Sequence, residues 1–143
     1  MYVYVYFHVA QCISHIYIMA FTSGVSHAGS DNSAHFEIKV GNQVKSIQLS
    51  DRPGNDYYPN KGDIWDYPLS SFGIHTCTTP RDITGLAIIE GGNDGWNIQT
   101  IVVMASGTNP RYTVLSAAVG VNRWIDGNGS AQHKRYDLPL VRN

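Results

Sequence analysis

Two stretches of this 143-residue chain gather the side chains best suited to chemistry. The first runs Asp51-Arg52-Pro53-Gly54-Asn55-Asp56-Tyr57-Tyr58-Pro59-Asn60-Lys61-Gly62-Asp63, and the second, from Glu90 to Gly95, carries Glu90, Asn93 and Asp94. Carboxylates and amides of this kind suit Ca²⁺, which takes about six to eight oxygen ligands from side chains and backbone carbonyls. Asn55, Asp56, Glu90, Asn93 and Asp94 are therefore candidate calcium ligands, on condition that the two stretches converge. Tyr57 and Tyr58 add aromatic rings suited to an interfacial contact. Together with Asn60 they would equally serve a carbohydrate, which offers apolar faces to aromatic rings and hydroxyls to amides.

Other chemistries lack their residues. His8, His15, His27, His35, His75 and His133 are scattered without zinc-binding spacing, and no Cys-x-x-Cys occurs. Gly24-Val25-Ser26-His27-Ala28 echoes a serine nucleophile elbow, but that elbow needs a strand before it and a helix after it, and the sequence reads as neither. A non-catalytic protein is expected. Ten basic against eleven acidic residues give a formal charge of −1, so no global field draws the chain to nucleic acid.

The elements that position the two stretches read as strands. Fourteen Gly, nine Tyr and three Trp are the vocabulary of strands and turns. His35–Val40 and Gln43–Leu49 alternate polar and apolar with period two, and Gly41-Asn42 between them reads as a hairpin turn. Further strands are expected at 64–69, 82–90, 96–103, 112–119, 121–125 and 134–138. No window holds a helical period over three turns. The expectation is an all-β, two-sheet antiparallel β-sandwich of about eight strands, occupying residues 31–143. Trp65, Trp96 and Trp124 each lie inside an alternating strand and read as core, and Arg123 is set to stack on an aromatic or to pair with Asp63 or Asp126.

The first thirty residues are different. They contain no Asp, Glu, Lys or Arg, and every charged side chain lies from Asp31 onward. Three readings fit residues 1–30: a secretory leader cleaved after Ala20 or Ala28, upstream sequence before a start at Met19, or an extension whose Tyr2–Phe7 adds an edge strand. Removal of a leader would leave Cys77 without Cys12, the other cysteine. The triplet Asn128-Gly129-Ser130 fits N-glycosylation and, with the leader, suggests export; a cytoplasmic location is the alternative.

Four landmarks in order resemble the PLAT domain, a β-sandwich module found beside the catalytic domains of lipoxygenases and certain lipases and in polycystin-type membrane proteins. They are Gly62-Asp63-Ile64-Trp65, then Ile83-Thr84-Gly85-Leu86-Ala87-Ile88-Ile89. Next comes Gly91-Gly92-Asn93-Asp94-Gly95-Trp96-Asn97-Ile98-Gln99-Thr100-Ile101, and last Tyr112-Thr113-Val114-Leu115 with Asn122-Arg123-Trp124-Ile125. The resemblance implies a non-catalytic attachment unit that docks on a lipid membrane or a protein partner, in some members through Ca²⁺ held by end loops. A secreted lectin-like or matrix sandwich that binds carbohydrate is the alternative reading.

Overall fold

The computed structural model describes residues 11–24, 34–49, 60–90, 95–107, 111–126 and 134–141. Their strands are β1 (His15–Thr22), β2 (Ala34–Val40), β3 (Gln43–Gln48), β4 (Gly62–Pro68), β5 (Ile83–Glu90), β6 (Gly95–Ser106), β7 (Tyr112–Asp126) and β8 (Arg135–Asp137). Two short 3₁₀ turns, Leu69–Phe72 and Pro80–Asp82, lie between β4 and β5. The strands form two four-stranded sheets, ordered β4-β1-β6-β7 and β3-β2-β5-β8, with every pairing antiparallel. The expected all-β sandwich of eight strands is the observed architecture.

Alternation builds the core. On β2, Ala34, Phe36 and Ile38 point inward and are sealed from solvent, while the intervening His35, Glu37 and Lys39 point out. On β6 and β1, Trp96, Ile98, Ile101 and Val103 meet Ile16, Ile18 and Ala20 in the same cluster. Gly41, at φ 58°, turns β2 into β3 as the Gly-Asn dipeptide suggests.

Three expectations need correction. The first concerns the boundary at residue 31: His15–Thr22 is an interior strand of the sandwich, paired with β4 on one side and β6 on the other. Its inward side chains Ile16 and Ile18 are fully buried, so the domain begins well before residue 31 and a start at Met19 would cut the strand in half. Residues 1–10, including Tyr2–Phe7, lie outside the described residues.

The second concerns the thiols. Cys77 is not unpaired: it forms a disulfide with Cys12, just ahead of β1. The bond ties the entrance of β1 to the segment between the two 3₁₀ turns, where Ile13 N–H also donates to Thr78 O at 2.7 Å.

The third concerns Trp124, which is half-exposed rather than core. The pair read as strands 112–119 and 121–125 is one strand, β7, whose register against β6 slips between Ile98 and Thr100. Gly120 and Asn122, at φ 68° and 45°, supply the bend. Below the slip Ala118 faces the core; beyond it Ile125 does, so the inward positions change from even to odd numbers and Trp124 turns outward.

Candidate functional site

The strand ends decide where the two chemistry-bearing stretches belong. β1, β3, β5 and β7 finish, and β2, β4 and β6 begin, at one end of the sandwich, as the pairs Phe21–Gly62, His35–Gln48, Ala34–Glu90 and Gly95–Asp126 show. The short β5 to β6 connection joins the two sheets at that end. The strands bracketing both stretches therefore meet there. Asn55, Asp56, Tyr57, Tyr58, Asn93 and Asp94 themselves lie outside the described residues, as does Asn128.

What is described at this end is a tightly bonded polar floor. Trp96 Nε1 donates to Thr22 Oγ1 at 2.9 Å, both residues being fully buried. Thr22 N–H donates to Lys61 O at 2.9 Å and Ser23 N–H to Asn97 O at 3.0 Å. Asn60 takes a left-handed φ of 61° and donates its N–H to Thr22 O at 3.1 Å. Its side chain lies so close to Gly24 that a Cβ there would sit 2.5 Å from Asn60 Oδ1, which is why glycine occupies that position. Asn60, offered by the sequence as a ligand contact, thus also closes the sandwich end.

Glu90 ends β5 with its side chain on the inward side that Leu86 and Ile88 share, only 1% exposed. Its carboxylate belongs to the interior rather than to an open loop. Among the described residues no group of three or more His, Cys, Asp or Glu is arranged to hold a metal. One buried acceptor at this end, Asn97 Oδ1, has no hydrogen-bond partner among the described residues. Trp65 and Trp96 are buried and pack edge to face, with centroids 6.5 Å apart, as the core reading expects. Arg123 places its guanidinium carbon 5.5 Å from the Tyr136 ring centre, a stacking contact of the kind the sequence suggests.

A surface that sequence reasoning missed lies on the outside of the β4-β1-β6-β7 sheet. Phe21, Ile64, Tyr112, Val114, Val119 and Trp124 are all large, apolar and exposed there. The available signal was β1 itself: its outward residues Tyr17, Met19 and Phe21 are as apolar as its inward ones. The outer face of the other sheet carries charged side chains beside the exposed Val44. Arg135 there bonds Glu37 at 2.6 Å and Asp137 at 2.8 Å, and the hydrogen bond to Glu37 is the chief reason its pKa is raised.

No family model matches the chain, and no curated protein matches it. Solved structures do. The alpha-toxin of Clostridium absonum aligns over 91% of this chain at 26% identity and a TM-score of 0.71. The alpha-toxin of an avian strain of Clostridium perfringens aligns over 91% at 23% identity and a TM-score of 0.73. Coral 8R-lipoxygenase, whose structure is described in terms of calcium activation through a C2-like domain, aligns over 87% at 15% identity and a TM-score of 0.58. The chain spans 32% of either toxin and 16% of the lipoxygenase, a part of each. The chain folds as a PLAT-like β-sandwich, the family whose landmarks its sequence resembles.

Proposed function

We propose that this sandwich is a non-catalytic targeting module that docks its loop end on a lipid surface, with Ca²⁺ strengthening the contact. The observation that carries the reading is the convergence of strand ends: β3, β4, β5 and β6, which bracket both oxygen-rich stretches, meet at one end. The likeness to a lipoxygenase structure described by calcium activation through a C2-like domain supports the same direction. Asn55, Asp56, Asn93 and Asp94 would hold the ion, with the buried Glu90 shaping the floor beneath them, and Tyr57 and Tyr58 would enter the interface. The Cys12–Cys77 disulfide supports an extracellular setting, where such bonds persist.

The test uses the full chain. Thermal unfolding is recorded in millimolar Ca²⁺ and then in EDTA, followed by co-sedimentation with phosphatidylcholine vesicles, with and without phosphatidylserine. A cation at about 100 times its Kd stabilises the folded state by about 2.7 kcal/mol, so Ca²⁺ should raise Tm by several degrees and increase the sedimented fraction. Unchanged Tm together with absent sedimentation in both buffers would remove the reading and leave a protein partner or a glycan, the latter assayed by retention on a glycan surface.

A further inference from the structure

The outer face of the β4-β1-β6-β7 sheet has a composition that folding of this sandwich does not explain. In one row across it, Ile64, Met19, Val102 and Ala117 stand side by side; in the next, Phe21, Thr100 and Val119 do. Neither row holds a charge. Asp66, opposite Tyr17 on the edge strand β4, is the carboxylate this face carries among its described side chains. Val119 is 79% exposed and Ile64 63%, whereas inward neighbours on the same strands, Ala118 and Trp65, are buried. At the loop end of the face the Trp124 ring lies against Gly95, where a Cβ would come within 3.1 Å of it. A side chain at that position would press on the indole, so the glycine leaves it room.

We propose that the loop-end half of this face, carried by Phe21, Ile64, Val119 and Trp124, is a lipid-contacting surface, so that the sandwich meets the membrane on a corner rather than on its loops alone. The inference rests on the lipid-docking reading above and deepens it. Two arguments select lipid over a second protein. Four strands at about 4.8 Å spacing and six residues at about 3.4 Å rise give a flat footprint of roughly 400 Å². A stable protein interface needs about 800 Å² from each partner, so the face is too small for a lasting dimer. A lipid surface imposes no such minimum and accepts an uncharged face bordered at the loop end by an amphipathic aromatic ring, that of Trp124. The opposite sheet, with its Arg135–Glu37–Asp137 cluster, makes the molecule two-sided in the manner of a slab lying at an interface.

Trp124 makes the test specific. Trp65 and Trp96 are buried, so a change in indole emission on adding vesicles reports Trp124. The full chain is titrated with phosphatidylcholine–phosphatidylserine vesicles in Ca²⁺, with and without brominated acyl chains. A matched pair of variants accompanies it: Val119→Glu on the proposed face, and Val44→Glu on the outer face of the other sheet, where Val44 stands opposite Lys39 and is also exposed. The proposal expects a blue shift and bromine quenching in the wild type. It also expects vesicle affinity to fall about tenfold or more in Val119→Glu but not in Val44→Glu, both variants keeping the wild-type Tm. Wild-type binding without quenching, and with Val119→Glu unaffected, would overturn the inference and leave docking to the loops. Emission already blue-shifted before lipid is added would also overturn it, because the face would then be covered by the chain itself or by a second copy, which sedimentation velocity distinguishes. Absence of any vesicle binding would remove the docking reading and this inference together.

Discussion

Replacing both disulfide cysteines, Cys12→Ser with Cys77→Ser, should destabilise the sandwich by about 4 kcal/mol. The bond spans a sequence separation of 65. In the chain-entropy account the loss of freedom in the unfolded state grows with the logarithm of loop length, and a loop of this size corresponds to about 4 kcal/mol at 25 °C. That is a large share of the roughly 5–15 kcal/mol by which domains are stable at all. For a domain of this length it amounts to a fall in Tm of about 12–20 °C. Removing both cysteines avoids leaving a reactive partner, and differential scanning calorimetry of the double variant beside the wild type, each with and without reductant, isolates the effect. Reductant should lower the wild-type Tm to that of the variant and leave the variant unmoved. A double variant within about 1 kcal/mol of wild type, with a wild-type Tm indifferent to reductant, would refute the reasoning. The unfolded chain would then not be restrained by this link.

A chain beginning at residue 29, near the boundary that charge distribution suggests, lacks β1 and Cys12; it should show no cooperative unfolding by circular dichroism and should bind ANS, since Ile16, Ile18 and Ala20 leave the core with it. Trp96→Ala should cost about 3–5 kcal/mol in urea unfolding, because it empties core volume and strands the buried Thr22 hydroxyl. Trp124→Ala should cost less than about 1 kcal/mol, its ring standing on the surface; equal losses at the two positions would contradict the outward turn of β7 beyond Gly120.

Strands with one polar and one apolar side were legible. β2 and β3 announce themselves because His35, Glu37 and Lys39 alternate with Phe36 and Ile38, and the Gly41-Asn42 turn fixes their register. β1 was not legible as a strand of the fold, for the reason that makes it interesting: its outward Tyr17, Met19 and Phe21 are apolar too, so the period of two vanishes and the segment reads as a leader. The disulfide was lost with it, since pairing Cys12 with Cys77 requires β1 to be inside the domain. Trp124 was misread because alternation carries a residue's face only as far as the next bulge, and the bend at Gly120 and Asn122 is a backbone event that side-chain pattern does not encode. At the loop end, Trp65 and Trp96 are buried as their alternating strands predict, whereas Glu90, the last residue of β5, is buried because it falls on the inward side of that strand.

The position of β1 has a consequence for how the protein comes into being. It is the earliest described strand along the chain, yet its two neighbours are β4 and β6, and the pairing of His15 is complete only when Ser106 has been made. At synthesis rates of about 5–20 residues per second, the 84 residues from Thr22 to Ser106 take roughly 4–17 s. For the first part of that interval a strand that is apolar on both sides has no partner at all, and from the completion of β4 until β6 is made it has one neighbour of its two. The newborn chain therefore passes through a period of stickiness that the finished sandwich does not share, and an escort for nascent chains should matter more to its yield than the stability of its native state.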